Sequence, residues 1–165
     1  MVPAKQQSES SVIPEISVVI PVFQAAGCVS LLIERLHTTL AQLTPTYEII
    51  LVDDGSSDDS WREILKHTGK TVIGLKLSRN FGQHYAITAG LDASRGNWVV
   101  VMDCDLQDPP EIIADLYAKA KQGNKIVFAR KKTEKTSYLD RLTSKLFYRS
   151  LGLISKIEID EGLTN

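Results

Sequence analysis

The amino-acid sequence predicts an α/β protein with a doubly wound, mainly parallel sheet and helices on both of its faces. Two observations support this prediction. Short apolar runs rich in β-branched residues, typical of buried strands, alternate with stretches in which apolar residues recur every three or four positions, as in helices. Strands that alternate with helices pair in parallel, and right-handed crossovers then place helices on either face.

The strands and helices are predicted in chain order as follows. Five apolar runs predict strands, at residues 16–20, 48–52, 72–77, 98–102 and 126–128. Between the first two strands, one helix is predicted with a buried face formed by Val29, Leu32, Ile33, Leu36, Leu40 and Leu43. Its exposed face would carry Glu34, Arg35 and His37. A second helix should follow Ser57 or Asp58, which can cap it, and another should begin near Pro110, because proline suits a first helical turn.

The two ends of the chain differ from the part that carries this pattern, which is residues 16–130. Residues 1–15 are polar with two prolines and predict a flexible N-terminal tail. Residues 131–165 continue a basic loop into an amphipathic helix and end without a closing strand, so the chain looks cut short.

Composition argues against several classes of protein. The 165 residues contain 19 lysines and arginines against 20 acids, for a formal net charge of −1, which disfavours nucleic-acid binding. No apolar run approaches the roughly 20 residues that a membrane-spanning helix needs, and no signal peptide precedes the first strand. Cys28 and Cys104 lack a metal-binding spacing and favour a reducing, cytoplasmic setting over a disulfide.

Acidic residues directly follow two of the predicted strands. Asp53 directly follows the second strand, and Asp103 and Asp105 follow the fourth. Ligands of open α/β sheets bind outside the carboxyl ends of the strands, so these acids predict a ligand site. A hard divalent cation such as Mg²⁺ or Mn²⁺ could bind the pair and bridge to a nucleotide diphosphate, and the amide of Gln107 could complete its shell or only tie the loop. The Asp53 carboxylate could accept the N–H of a nucleobase.

Structural roles compete with functional ones near these acids. Residues 55–59 have the composition of a turn and a helix cap and are interpreted as structural. A strand-to-helix turn would explain residues 108–110 but leaves Asp103 and Asp105 without a cause. His84 is interpreted as structural or solvent-facing and is left out of the site.

Four motifs in order along the chain resemble the family 2 glycosyltransferases, which have the GT-A fold. They are Ile20-Pro21-Val22-Phe23, the VDDGSSD of residues 52–58, the SRNFG of residues 78–82 with Ala89-Gly90, and the DCDLQDPPE of residues 103–111. The resemblance extends from residue 16 to about residue 155. Leu106-Gln107, with the later Arg130, Arg141 and Ser144, is most similar to the polyprenyl-phosphate and dolichol-phosphate hexosyltransferases.

This resemblance implies a metal-dependent, inverting glycosyltransferase with Mg²⁺ or Mn²⁺ as its cofactor. The donor would be a nucleotide sugar, with UDP preferred over GDP, and the acceptor a polyprenyl phosphate or, alternatively, a saccharide hydroxyl in cell-surface polysaccharide synthesis. The implied nucleotide-binding residues are Pro21, Phe23, Asp53, Arg79 and Asp103. The implied metal ligands are Asp103, Asp105 and Gln107, and Arg130 and Arg141 would face the acceptor phosphate. Asp103, Asp105 and Arg130 are the catalytic candidates.

Some positions depart from the family pattern or allow a second role. Phe23 stands where the family often has tyrosine, and residues 24–26 lack the acid that the family often has there. For Arg79, a structural salt bridge is the alternative to a nucleotide contact. The basic residues 130–135 and the following helix could contact an anionic membrane surface at its cytoplasmic face, or could pack on the sheet or on a partner chain.

Other protein classes fit the sequence less well. A dinucleotide-binding dehydrogenase would have a Gly-x-Gly-x-x-Gly turn after the first strand, where this chain has residues 21–27 without that pattern. A metal-binding receiver domain of a signalling protein would have an acid pair at the same place, and the chain has none there. A fragment that binds the donor without turning it over is a third alternative, and nothing in the sequence indicates the oligomeric state.

Overall fold

The computed structural model describes residues 12–129, which form a four-stranded parallel sheet and four helices. In chain order the elements are β1 (Ile16–Val22), α1 (Ala26–Leu43), β2 (Tyr47–Asp53), α2 (Ser60–His67), β3 (Val72–Lys76), α3 (Gln83–Ala93), β4 (Trp98–Val101) and α4 (Ile112–Lys121). The strands lie in the order β3-β2-β1-β4, and every neighbouring pair is parallel. The α/β fold class predicted from the sequence is confirmed.

The sheet is doubly wound, with helices on both faces, and alternate strand residues belong to two apolar clusters, one on each face. On one face, Val18 and Ile20 pack with buried residues of α1, α2 and α4. On the other face, Val19 and Val52 pack with Ala86 of α3. Both faces of β1 and β2 are therefore buried, which explains why their sequences are continuous apolar runs instead of alternating ones. Burial of these aliphatic side chains stabilises the fold by about 25 cal/mol for each Å² of apolar surface removed from water.

The buried face of α1 agrees with the prediction. The buried residues of this helix are Val29, Leu32, Ile33, Leu36, Thr39 and Leu40, and Leu43 packs against the same cluster. Two residues predicted on its exposed face are half-buried instead. The Arg35 guanidinium pairs with Glu111 at 2.6 Å, and His37 Nδ1 lies 2.9 Å from the hydroxyl of Tyr47.

The third helix, α3, lies very close to the sheet at Gly90. A Cβ atom built at this position would be 2.3 Å from Cγ1 of Val19 and 3.2 Å from Cγ2 of Val52. The first distance is shorter than a carbon–carbon contact allows, so a residue with a side chain could occupy this position only if Val19 or the helix moved.

The predicted fifth strand is wrong. Residues 126–128 are not in a strand, and the side chains of Ile126 and Phe128 are 75% and 87% exposed. Within residues 12–129, none of the four strands pairs with this segment. Strand propensity reflects packing against neighbours, so an apolar composition alone does not form a strand where no neighbour pairs with it.

The helices predicted from capping signals are present, with shifted starts. The helix expected after Ser57 or Asp58 is α2, and the Asp58 carboxylate accepts the backbone N–H of Ser60 at 3.0 Å. The helix expected near Pro110 is α4, preceded by a turn in which the Pro110 carbonyl accepts the N–H of Ile113. None of the helices within residues 12–129 is long and apolar enough to cross a bilayer.

A buried carboxylate ties three segments together at the amino end of the sheet. Glu48 in β2 is 1% exposed, and its Oε1 accepts the hydroxyl of Ser17 and the backbone N–H of Arg95, both at 2.7 Å. Its Oε2 accepts the Arg95 guanidinium at 2.8 Å. The hydroxyl of Ser17 in turn accepts the N–H of Gly96 at 2.8 Å. Glu48 therefore fixes the turn between α3 and β4 to β1 and β2.

Glu15, at the end of the predicted tail, should make the stability of the fold depend on pH. Asn97, Tyr117 and Lys121 all donate hydrogen bonds to its carboxylate, and together they lower its pKa from 4.5 to about 2. A carboxyl whose pKa is lowered in the folded state stabilises the protein above its unfolded pKa, and this contribution is lost as the pH falls toward the folded pKa. We expect Glu15→Gln to lower the melting temperature at pH 6 and to lower it less at pH 3.

Thermal unfolding of both proteins between pH 3 and pH 6 tests this expectation. Glu34→Gln is the matched control, because Glu34 is an exposed acid of α1. An equal difference between wild type and Glu15→Gln at every pH would contradict it.

Candidate functional site

The strand order places the topological switch point of the sheet between β1 and β4. From β1 the chain moves outward to β2 and β3, and then returns to the other side of β1 to form β4. Ligands of open α/β sheets bind in the crevice outside the carboxyl ends of the strands at such a point. The strand register puts Val22, Asp53 and Lys76 in one row at this edge. Three of the four strands therefore end together there.

Asp53 is the best-placed ligand-binding residue at this edge. It is 0% exposed, and its Oδ1 accepts the backbone N–H of Ser56 at 3.2 Å. Its Oδ2 is buried and has no hydrogen-bond partner among the described residues. The ammonium of Lys76 lies 3.8 Å from Oδ2, which is beyond hydrogen-bonding distance. The Oδ2 atom therefore forms an ion pair with Lys76 but accepts no hydrogen bond from the described residues, which leaves it available to a donor from a ligand.

Lys76 is a candidate site residue that was not predicted from the sequence. It is the last residue of β3 and pairs with Asp53 in the register, and its ammonium also lies 5.5 Å from the centroid of the Trp61 ring. The signal that could have found it is its position, because the last residues of neighbouring parallel strands lie side by side.

The second aspartate of this motif, Asp54, has a structural role. Its two carboxylate oxygens accept the backbone N–H groups of Phe81 and Gly82 at 2.8 and 2.9 Å. Gly55 follows with a φ of +69°, and a Cβ there would be 2.4 Å from the carbonyl carbon of Arg79. The turn after β2 therefore holds the β3–α3 loop, residues 77–82, in direct backbone contact.

Ser56, Asp58 and Ser60 also have structural contacts, in agreement with the interpretation of residues 55–59 as a turn and cap. The Ser56 hydroxyl accepts the backbone N–H of Gln24, and the Ser60 hydroxyl accepts that of Ala25. Asp58 accepts the N–H of Ala26 at 3.2 Å. These bonds fasten the loop after β1 to the loop after β2, so both loops at the edge have a fixed shape.

The first-strand residues lie at the same edge. Pro21 is buried within β1 and is tolerated in this central strand because the pairing with β4 ends at Val19, so no partner requires its missing N–H. Phe23 follows the strand and is 46% exposed, which leaves its ring available to a ligand.

Asp103 and Asp105 are exposed in the loop between β4 and α4, and Cys104 between them is buried in the core. The Asp103 Oδ1 accepts the side-chain amide of Gln83 at 2.6 Å, and the Asp105 Oδ1 accepts the backbone N–H of Gln107 at 3.0 Å. Leu106 has a φ of +62°, a left-handed conformation that turns the chain sharply after Asp105.

The Cys104 thiol is not a reactive group of this loop. Burial raises its pKa to about 12, with further increases from the nearby Cys28 and from the two flanking carboxylates. A thiol with so high a pKa stays protonated near neutral pH and behaves as a small apolar side chain.

The donor set of this loop fits a hard divalent cation shared with a ligand. No group of three or more histidine, cysteine or acidic residues within residues 12–129 could hold a metal by itself. Asp103 and Asp105 would therefore supply two carboxylates, and water and phosphate oxygens the rest, as is common for Mg²⁺ at nucleotide sites. The contact described for Gln107 is made by its backbone N–H, and both roles of its side-chain amide, as a metal ligand or as a tie of the loop, stay predictions.

The remaining predicted site residues are less constrained. Arg79 lies in the β3–α3 loop with its guanidinium 4.6 Å from the centroid of the Phe81 ring, so its described contact is with an aromatic side chain. His84 is exposed on α3. Arg130, Arg141 and the predicted amphipathic helix lie outside the described residues, and their roles stay predictions.

Comparison with known proteins yields curated relatives that are more than a third identical to this chain over the aligned residues. An undecaprenyl-phosphate 4-deoxy-4-formamido-L-arabinose transferase of Photorhabdus laumondii is 41% identical over 138 residues, which are 81% of this chain and 42% of the relative. An uncharacterized glycosyltransferase of Synechocystis is 38% identical over 148 residues, which are 88% of this chain and 46% of the relative. The chain thus spans less than half the length of these relatives.

A solved structure and a family model also match this chain. The solved structure of mannosyl-3-phosphoglycerate synthase from Rubrobacter xylanophilus superposes on this chain with a TM-score of 0.58 and 20% identity. The match covers 82% of this chain and 47% of the synthase chain. That likeness shows a shared fold. The model of the family described as glycosyl transferase family 2 matches residues 17–162. Together with the relatives, this match shows that the chain belongs to glycosyltransferase family 2.

Proposed function

We propose that this chain binds the nucleotide-sugar donor of a metal-dependent, inverting glycosyltransferase that uses a polyprenyl phosphate as its acceptor. The observation that carries the proposal is the buried Oδ2 of Asp53, which accepts no hydrogen bond from the described residues, at the same sheet edge as the Asp103 and Asp105 pair. The relatives named as undecaprenyl-phosphate transferases support the choice of acceptor. A hexose is the expected sugar, and the substituted arabinose in the names of those relatives is the alternative.

At the base end, Asp53 and Lys76 offer an acceptor and a donor side by side. Their Oδ2 and Nζ atoms are 3.8 Å apart. Uracil and guanine each present an N–H next to a carbonyl oxygen, which is the complementary order. Adenine and cytosine have a ring nitrogen acceptor in place of that ring N–H and would have to donate to the carboxylate from an exocyclic amine, so the preference for UDP or GDP rests on the ring N–H of uracil and guanine and on the family resemblance. The exposed ring of Phe23 offers a surface on which the base can stack.

At the diphosphate end, Asp103 and Asp105 are the residues that would hold Mg²⁺ or Mn²⁺. A divalent cation bound there would neutralise charge on the departing nucleoside diphosphate. The chain's own contribution is orientation, since each carboxylate has one oxygen fixed by a hydrogen bond.

At the acceptor end, Arg130 and Arg141 are proposed to position the lipid phosphate. A phosphate acceptor already carries a nucleophilic oxyanion at neutral pH, so it needs positioning more than a general base. The basic segment around Arg130 would then lie at the cytoplasmic face of a membrane.

The base contact is tested by Asp53→Asn. The asparagine oxygen can still accept the Ser56 N–H, but its amide group places a donor where the carboxylate offered Oδ2. We expect the affinity for UDP to fall about 10- to 100-fold, because a base N–H would then face another N–H. Isothermal titration calorimetry with Mn²⁺ and each of UDP, GDP, CDP and ADP measures the effect.

Asp59→Asn is the matched control for this substitution. Asp59 lies in the same turn, but its carboxylate pairs at the surface with Arg62 at 3.1 Å. Equal binding of all four nucleotides by the wild type, or undiminished UDP binding by Asp53→Asn, would contradict the base assignment. Sugar transfer to undecaprenyl phosphate, compared with transfer to a saccharide, then decides between the two acceptor classes.

A further inference from the structure

We infer that Gln83 is a positioning residue that sets the orientation of the Asp103 carboxylate toward the cation and the diphosphate. This inference rests on the proposed function, because it concerns the same site. Its starting observation is the hydrogen bond of 2.6 Å from the Gln83 side-chain amide to Oδ1 of Asp103. The two residues lie on different elements, the first turn of α3 and the loop after β4.

The position of Gln83 is set by the turn after β2. Asp54 accepts the N–H groups of Phe81 and Gly82, the two residues that directly precede Gln83. Gly55 packs closely against the backbone of Arg79 in the same loop and so also limits its position. Because Asp54 is adjacent to Asp53, one turn places both the proposed base contact and the residue that reaches Asp103.

Asp103 and Asp105 differ in how they are oriented. The Asp105 carboxylate is held by a backbone N–H two residues later in its own loop. The Asp103 carboxylate instead receives its hydrogen bond from α3. Loss of the Gln83 amide would therefore free the Asp103 side chain to rotate, while Asp105 would keep its orientation.

The chemistry of the Gln83 side chain suits this role. A lysine or arginine at the same place would orient Asp103 but would also neutralise it and compete with the cation. A neutral amide fixes one carboxylate oxygen and leaves the negative charge for the cation. Residues that hydrogen-bond to metal-ligating carboxylates typically change metal affinity 10- to 100-fold when they are replaced.

The test uses Gln83→Leu, which keeps the size of the side chain and removes its donor. The Mn²⁺ affinity in the presence of saturating UDP is measured by electron paramagnetic resonance, and UDP affinity in chelator is measured by calorimetry. We expect the Mn²⁺ affinity to fall about 10- to 100-fold and the metal-free UDP affinity to stay within about twofold. His84→Ala, at the next position of α3 and also exposed, should bind Mn²⁺ like the wild type.

A double-mutant cycle separates positioning from a merely structural role. If Gln83 acts through Asp103, Gln83→Leu causes no further loss of Mn²⁺ affinity when it is added to Asp103→Ala. An equal loss in both backgrounds, or no loss in the wild-type background, would overturn the inference. If the wild type binds Mn²⁺ and UDP, and Gln83→Leu binds Mn²⁺ with the same affinity, this inference alone is overturned. Wild-type protein that binds neither would overturn the proposed function as well.

Discussion

Replacing Asp105 with alanine should abolish metal-dependent UDP binding and slow sugar transfer by at least about 100-fold. Asp105 is one of two carboxylates in the described part of the site that can bind the cation, and its side chain is already oriented by the N–H of Gln107. Charge neutralisation by a metal contributes several kcal/mol to such a reaction, and each 1.4 kcal/mol is about tenfold in rate. Calorimetry of UDP with Mn²⁺ and with chelator measures the binding part directly.

Two comparisons make the Asp105→Ala result specific. Wild-type protein in chelator should bind UDP as weakly as Asp105→Ala does in Mn²⁺, because both lack the same interaction. Asp92→Ala removes an exposed acid of α3 and should leave Mn²⁺-dependent binding unchanged. The metal assignment would be wrong if Asp105→Ala retained wild-type UDP affinity in Mn²⁺ and lost it in chelator.

Replacing Glu48 with alanine should lower the free energy of unfolding by about 3 kcal/mol, because it leaves the buried partners of a carboxylate unsatisfied. Although burial alone would favour the protonated form, hydrogen bonds from Ser17 and Arg95 hold the pKa of Glu48 below its usual value. The carboxylate therefore stabilises the fold near neutral pH. For a chain of this length, about 3 kcal/mol corresponds to a decrease of about 6–12 °C in the melting temperature.

Differential scanning calorimetry measures this loss, with Glu34→Ala as the control at an exposed acid of α1. Glu48→Gln should be intermediate, because an amide oxygen can still accept the Ser17 hydroxyl. Since Glu48 lies at the amino end of the sheet, folded Glu48→Gln should bind UDP with wild-type affinity. A melting temperature of Glu48→Ala within about 1 °C of the wild type would contradict the buried-network interpretation.

The sequence was sufficient to predict the fold where burial alone determines the pattern. The strands β1 and β2 are buried on both faces, so their apolar runs are unambiguous, and the buried stripe of α1 follows from its helical period. Residues 126–128 have a similar composition but lack a pairing neighbour among the described strands. A pairing partner is a tertiary property, and a local apolar run does not contain it.

The candidate site was predictable to the same extent. Asp53, Asp103 and Asp105 follow apolar runs, so the rule that ligands bind at strand ends locates them. Lys76 and Gln83 were not predicted from the sequence. Lys76 lies beside Asp53 because of the strand register, and Gln83 contacts Asp103 20 residues later in the chain. The structural role of Asp54 also required the structure, because the sequence does not show that its carboxylate accepts the N–H groups of Phe81 and Gly82.

The close packing at Gly90, near the C-terminal end of α3, helps to fix the position of Gln83 at the start of the same helix. In an isolated helix, alanine would be favoured over glycine at an interior position by about 1 kcal/mol. Here the absence of a side chain at Gly90 lets α3 pack directly on Val19. Gln83 lies seven residues earlier on the same helix, about 10 Å away at 1.5 Å per residue. An added side chain would require Val19 or α3 to move, and any movement of α3 would also displace its first turn, where Gln83 lies. In tolerance to mutation, position 90 should therefore behave like a residue of the site, although no ligand would touch it.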